Sequence, residues 1–307
     1  MKKLVTIVGP TAVGKTDLTL ALAKRYNGEV ISGDAYQVYK HLDIGTAKPT
    51  FDELDTIPHH LINILEPNDD YSVSIFQQQA QSLIDQLNDN HVLPILSGGT
   101  GLYVQSLLEN YNFNDIKPNT ALRNELDELY AKYGLDGLRQ YAQNLAEKGG
   151  VEIRYTDKHR LYRAIELMTA GDYESLTRQT KEGLSYRGPV IGLQRERSDL
   201  YNRINRRVEI MFEKGLVDEV KQLLKNGVNS NCQAFKGIGY KEVVQYLEGL
   251  ISYDACVDLI QKNTRHFAKR QITWYKRMPY IEWITIDSHT TEAEIYGMAC
   301  NIIDSSF

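Results

Sequence analysis

The sequence predicts an α/β fold, with a parallel β-sheet covered by helices on both faces and a helical domain inserted into it. Three observations carry that prediction. The stretch GPTAVGKT, residues 9–16, reads G-x-x-x-x-G-K-[ST] and follows directly on a short apolar run. Over roughly the first 110 residues, apolar β-branched runs alternate with segments of helical spacing, the pattern of a parallel sheet with covering helices. After about residue 111 the alternation stops, and apolar runs return only at 188–194 and 281–287.

Taken in order, KLVTIVG is rich in β-branched residues and reads as a buried first strand. KTDLTLALAKRY after the glycines has helical spacing. EVIS is a second strand ending at a loop that carries Asp34, and HHLINIL is a candidate third. SIFQQQAQSLIDQLNDN is a helix, VLPILSGG another buried strand and TGLYVQSLLEN a further helix. From NTALRNELDELYAKYG to RAIELMTAGDYESLTRQTKEG there are helices and turns but no strand pattern. GPVIGLQ returns to the sheet, two or three helices follow, and IEWITID is the last strand. The expected organisation is a core of residues 1–110 and 187–307 with an insertion at 111–186. The last dozen or so residues carry no usable pattern.

Composition bounds the function. The 307 residues are 42% hydrophobic and 24% charged, enough to bury a sizeable core. A net charge of -5 argues against a generic polyanion binder, while leaving room for a local basic face. Cys232, Cys256 and Cys300 lie far apart with no zinc spacing, so buried thiols in a reducing compartment are expected. The opening MKKLVTIVGP has two lysines before an apolar run, but that run is too short for a signal peptide and ends in the glycine loop. No apolar stretch is long enough for a membrane span, and a cytoplasmic protein is expected.

The residues Gly9, Pro10, Thr11, Ala12, Val13, Gly14, Lys15 and Thr16 form the motif of a phosphate loop. Glycines let the backbone wrap an anion, the amides point inward, and the next helix presents its positive end. Lys15 reaches terminal phosphates, and the Thr16 hydroxyl suits a Mg2+ ion bridging them. Four fixed positions match by chance in roughly one such chain per hundred, and the strand before and helix after sharpen the signal. The core is therefore expected to be P-loop NTPase-like. The pattern calls for a diphosphate or nucleotide such as ATP without choosing between them. VLPILS ends in Gly98–Gly101 with no acid, which argues against an ATP-hydrolysing motor.

Asp34 closes the second strand, where ligands sit in doubly wound sheets, so it is a candidate general base. A turn-capping aspartate is the bland alternative. Residues 259–280 carry Lys262, Arg265, Lys269, Arg270, Lys276 and Arg277 without an acid, interleaved with Phe267, Trp274 and Tyr275. As a helix, Arg265, Lys269 and Arg277 share a face. With Arg160 and Arg163, and with Arg203, Arg206 and Arg207, they suggest a nucleic-acid contact, against the bland reading of solvated helix faces. AFKGIGYKE, 234–242, would let a backbone approach RNA closely or would simply link helices.

GPTAVGKT, ISGDAYQVYKHLDIGTAKP, PHHLINI, SGGTGLY, HRLYRAIE, FKGIGYKE and KRQITWYKR together resemble the successive motifs of the tRNA dimethylallyltransferase family, also called tRNA isopentenyltransferases or IPP transferases. They run in the family's order from residue 9 to residue 277. The resemblance implies transfer of a dimethylallyl group from dimethylallyl diphosphate to N6 of adenosine 37, in tRNAs reading codons that start with U. It implies that Gly9–Thr16 hold the diphosphate with Mg2+ near Thr16, that Asp34 takes the N6 proton, and that Thr100 sits beside it on the bridging oxygen. Asp34, Ala35, Tyr36 and Gln37 would line the flipped adenine and its neighbour. His159, Arg160, Arg163, Lys236, Gly239, Tyr240, Lys241, Lys269, Arg270 and Lys276 would grip the anticodon stem-loop. Arg123 would reach RNA from the insertion, as the family's movable domain. A monomer is expected. Ala35 departs from the family's usual serine and cannot donate a hydrogen bond. Three other readings stay open at this level: a P-loop small-molecule kinase with Asp34 as base, prenyl transfer to a free adenosine phosphate, and an RNA-binding module with a regulatory phosphate loop.

Overall fold

The computed structural model describes residues 1–113, 116, 119–177 and 183–307. It divides into two compact units, Met1–Glu109 with Gly183–Phe307, and Asn110–Glu182.

The first unit is built on one six-stranded parallel sheet. Its strands are β1 (Val5–Val8), β2 (Gly28–Ser32), β3 (His59–His60), β4 (Leu93–Gly98), β5 (Val190–Arg195) and β6 (Ile281–Ile286), in the order β3-β2-β4-β1-β5-β6. The register sets Val8 beside Gly98 and Ser32 beside Ser97, so the carboxyl ends of β1, β2 and β4 finish level. Side chains alternate across β1. Leu4 and Val8 enter one hydrophobic cluster, and Val5 and Ile7 enter another on the opposite face. Both faces are thus dry, which is why the strands read as continuous apolar runs. On one face α1 (Lys15–Tyr26) contributes Leu18 and Leu22.

On the other face lie α3 (Val73–Asp89) with Phe76, Ala80 and Ile84, and α4 (Gly101–Leu108) with Tyr103, Val104 and Leu107. The short α2 (Phe51–Thr56) is held by a reciprocal cap between Thr50 and Glu53 and buries none of its residues. The expected third strand shrinks to two residues. Leu61 (φ 61°) and Asn63 (φ 55°) turn the backbone left-handed immediately after His60, which ends the pairing.

The second unit consists, among the described residues, of helices and turns. Its helices are α5 (Thr120–Gly149), α6 (Lys158–Thr169) and α7 (Glu174–Thr177). The chain breaks helical geometry inside α5 at Gly134, φ 63° and ψ -156°. Leu122, Leu126 and Leu138 of α5 pack with Leu161 and Ile165 of α6 into a separate core. The part of the expected helix-and-turn stretch at 178–182 lies outside the described residues.

Back in the first unit, four helices rather than two or three link β5 to β6, with a one-turn 3-10 helix at Ala234–Lys236. They are α8 (Arg197–Glu213), α9 (Leu216–Lys225), α10 (Tyr240–Leu247) and α11 (Tyr253–Tyr275). The chain then ends in α12 (Glu292–Ser306), where no element was expected. Its signals are a Thr291–Glu294 capping box and Ile295, Ala299 and Ile303 at four-residue spacing, all buried against the α1 side of the sheet. No helix among the described residues is long and apolar enough to cross a membrane.

Candidate active site

The level carboxyl ends of β1, β2 and β4 open into a cavity of about 720 Å³. The phosphate loop floors it. Gly9 (φ 148°) and Gly14 (φ 109°) sit in backbone regions closed to most side chains, and a Cβ on Gly9 would stand 2.7 Å from the carbonyl oxygen of Leu193. Helix α1 begins at Gly14 with no side-chain cap, so its first amides remain available to an anion. Arg195 Nε donates to Val13 O at 3.0 Å and Arg203 Nε to Ala12 O at 2.9 Å, bracing the loop.

Lys15 folds back over the loop. Its Nζ donates to Gly9 O at 3.0 Å and Pro10 O at 2.9 Å. Burial pushes the ammonium down to about 7, Arg207 adds to that shift, and Asp34 opposes it. Arg207 lines the same cavity and makes no hydrogen bond or ion pair with the described residues. Burial pulls its guanidinium below the ordinary value, and Asp34 works in the other direction. Thr16 is exposed in the wall of the cavity. Among the described residues no group of three His, Cys, Asp or Glu side chains could hold a metal. A cation here would therefore rest on the Thr16 hydroxyl and on oxygens of a bound phosphate, the sparse protein ligation that Mg2+ accepts.

Asp34 lies above the loop. Its Oδ1 accepts from the amides of Tyr36 at 2.8 Å and Gln37 at 3.4 Å, so the turn-capping arrangement weighed from sequence is present. The same carboxylate also lines the cavity, so capping orients it rather than hiding it. Thr100 comes to its side from β4. Its Oγ1 accepts from Ala35 N–H at 3.1 Å, and its own N–H donates to Gly33 O at 3.2 Å. The backbone of Ala35 thus serves the threonine directly. Tyr36 packs on Gly237, and Gln37 is tied to Ser32 Oγ at 3.1 Å and Thr46 O at 3.4 Å.

The glycines of SGGTG have a packing cause. A Cβ on Gly98 would collide with the Gly33 backbone, one on Gly99 would stand 2.5 Å from Gln271 Nε2, and one on Gly101 2.5 Å from the Trp274 ring. Gln271, 4% exposed on α11, donates to Gly99 O at 2.8 Å and accepts from Thr11 N–H at 2.9 Å. Tyr275 O–H donates to Gly98 O at 3.3 Å. Sequence reasoning named the basic residues on either side of Gln271 and passed over it, because a lone glutamine has no motif. It placed Arg207 only in a basic cluster, because helix facing is not visible without α8's partners.

Other candidates separate into exposed and internal residues. Lys236, Lys241, Lys269, Arg270 and Lys276 are exposed, with the Arg270 guanidinium 5.8 Å from the Phe267 ring centroid. The expected Arg265–Lys269–Arg277 face is not formed. Arg277 falls beyond the end of α11, and Arg265 donates to Asn205 Oδ1 at 2.6 Å. Gly239 (φ 102°) starts α10, with Glu242 Oε2 accepting its N–H at 2.7 Å. Tyr240 is 1% exposed, its ring against Gly45 and its O–H donating to Glu219 Oε1 at 2.6 Å. Glu219 also accepts from the amides of Asp43, Ile44 and Gly45, so Tyr240 helps to pin the loop that follows Gln37.

In the second unit, Arg123 is bidentate to the buried Glu166, at 2.7 and 3.2 Å, and Arg163 reaches the same carboxylate at 3.4 Å. His159 and Arg160 are exposed in the first turn of α6, whose cap is Asp157.

A parallel α/β core, an uncapped phosphate loop and a carboxylate in the cavity at the strand ends define a protein of the phosphate-loop class. The model of the IPP transferase family matches residues 37–278, and that of isopentenyl transferase matches residues 2–66. The chain belongs to the IPP transferase family. A tRNA dimethylallyltransferase of Carboxydothermus hydrogenoformans is 43% identical, over 95% of this chain and 94% of its own length. One of Halalkalibacterium halodurans is 43% identical over 92% and 90%. The crystal structure of the full-length tRNA isopentenylpyrophosphate transferase of Bacillus halodurans superposes with a TM-score of 0.74 at 39% identity, covering 100% of this chain and 98% of that one. A eukaryotic dimethylallyltransferase acting on tRNA gives 0.75 at 26% identity, covering 94% and 75%.

Proposed function

We propose that the protein transfers the dimethylallyl group of dimethylallyl diphosphate to N6 of adenosine 37, in tRNAs reading codons that start with U, in the cytoplasm. The observation that carries this reading is the Asp34 carboxylate facing a cavity floored by an anion loop, with the Thr100 hydroxyl held on the amide of the next residue, Ala35. The adenine amine is a weak nucleophile because its lone pair is delocalised, so the reaction depends on making the diphosphate leave.

The loop amides, Lys15 and Arg207 stabilise the charge that develops on the departing oxygen. Mg2+, held through Thr16, would neutralise part of the diphosphate charge when bound. As the allylic C–O bond breaks, its electron pair goes to the diphosphate, the N6–C bond forms, and Asp34 takes the N6 proton. Thr100, already oriented by Ala35 N–H, is suited to hydrogen-bond the bridging oxygen. The base leaves the RNA stack to reach the cavity. Exposed cations on Lys236, Lys241, Lys269, Arg270 and Lys276 supply phosphate contacts. The unit Asn110–Glu182 is the RNA-gripping insertion, where His159 and Arg160 are exposed and Arg123 and Arg163 are braced by Glu166.

The test offers an anticodon stem-loop with labelled dimethylallyl diphosphate in one reaction and labelled ATP in another. Label entering RNA from the prenyl donor, and lost in Asp34→Ala with RNA affinity retained, is expected. Label only from ATP would make the loop a kinase's. Turnover that survives Asp34→Ala would remove the base assignment.

A further inference from the structure

We propose that Gln271 is a positioning residue that sets the separation between the diphosphate loop and the Asp34–Thr100 pair. This rests on the proposed function above. The reaction needs the leaving oxygen and the nucleophile aligned within a fraction of an ångström, yet the two halves of the site stand on different strands. The loop follows β1, Thr100 follows β4, and Asp34 follows β2. Strand pairing ends at Val8–Gly98, so the backbone ladder does not hold the loops above it.

Gln271 closes that gap with both ends of one amide. Its oxygen takes Thr11 N–H of the phosphate loop at 2.9 Å, and its nitrogen gives to Gly99 O, the residue before Thr100, at 2.8 Å. No other uncharged side chain of that length pairs a donor with an acceptor in this way. The clamp is also stiff. The side chain is buried, Ala268 and Tyr275 of the same helix face are fully enclosed, and Gly99 has no Cβ so that the amide can approach. Gln271 uses the Thr11 amide itself, which therefore points away from a bound anion. Gln271 lines the cavity, but with both polar ends bonded to loop backbone its proposed action is through the loops.

Gln271→Met keeps the shape and removes both bonds. In this variant kcat for prenyl transfer is expected to fall roughly 10- to 100-fold, the scale of a misplacement near 1 Å. The dissociation constants for inorganic diphosphate and for the anticodon stem-loop should stay within about threefold, since both polar ends of the amide are already committed to loop backbone. Gly99→Ala perturbs the same clamp from the other side, because its Cβ would stand 2.5 Å from Nε2. It should show the same split, and the double variant should be no worse than the poorer single one. A folded Gln271→Met enzyme with unchanged kcat would overturn the inference, as would diphosphate affinity falling in step with kcat or strict additivity with Gly99→Ala. A wild-type protein that transfers no prenyl label would instead refute the proposed function and take this inference with it.

Discussion

Lys15 offers a measurement in which proton uptake reports the diphosphate contact. In the free loop its ammonium is pushed down to about 7, chiefly by burial and secondarily by Arg207. A bound polyanion 3 Å or so away favours the charged form and returns the group toward its ordinary value near 10.4. The sign follows. Below about pH 7 the lysine is already charged and binding takes up no proton; above it, binding must first protonate the amine, so affinity falls as pH rises.

With the free value at about 7, roughly a tenth of the lysine is neutral at pH 6 and about nine-tenths at pH 8, so the Lys15 share of the change in diphosphate affinity is about a tenfold weakening at the higher pH, read against Lys15→Arg. Titration calorimetry in two buffers of different ionisation heat measures the protons taken up. About 0.9 proton per diphosphate is expected from Lys15 near pH 8, and about 0.1 near pH 6. Diphosphate titrates as well, so the comparison is with Lys15→Arg, whose guanidinium stays charged and carries only the ligand's share. Equal proton uptake by wild type and variant at pH 8 would rule out a Lys15 that gains its proton on binding. Either the lysine is charged in the free loop or the anion does not engage it.

Glu219→Gln replaces one of two oxygens that serve the amides of Asp43, Ile44 and Gly45 and the Tyr240 hydroxyl, and leaves a donor facing donors. Urea unfolding should show a loss of about 1–3 kcal/mol, and unchanged stability would mean the loop is held some other way. Gly98→Ala drives a methyl group into the Gly33 backbone. Overpacking of this kind should cost about 1–3 kcal/mol, read as a lower thermal midpoint, and an unshifted midpoint would show that β2 and β4 can part without cost. Lys269→Ala and Lys276→Ala each remove an exposed cation. Each should weaken binding of every anticodon stem-loop alike and reduce the slope of log affinity against log salt by about one, and an unchanged slope would take that lysine off the RNA path.

How far the sequence reaches varies with the range of the interactions. The elements around the loop were legible because their causes are local. β1 is an apolar β-branched run, α1 begins where Gly14 permits, and the eight-residue motif is contiguous. The third strand was overread, since HHLINIL has strand composition but Leu61 and Asn63 adopt left-handed backbone that pairing partners cannot follow. α12 was legible and passed over: its capping box and four-residue apolar spacing stand in the sequence. Tyr240 stood in a basic, glycine-rich stretch and read as an RNA contact. Only the fold brings Gly45 against its ring and Glu219 to its hydroxyl.

The parallel α/β class, the phosphate-loop motif and the candidate carboxylate could be read from residue order alone, because each depends on short-range backbone preference and on residue chemistry. Only in the folded chain is it clear which of the three basic clusters faces the cavity: it is that of Arg203, Arg206 and Arg207, with Arg207 carrying no ion pair among the described residues. The tertiary structure also decided that Arg123 and Arg163 spend charge on Glu166, and that the glycines after β4 make room for Gly33, Gln271 and Trp274. Those outcomes join residues up to 260 positions apart, such as Thr11 and Gln271. Nothing in either local segment specifies the other, so the pairing exists only once the sheet has closed and α11 has packed across the strand ends.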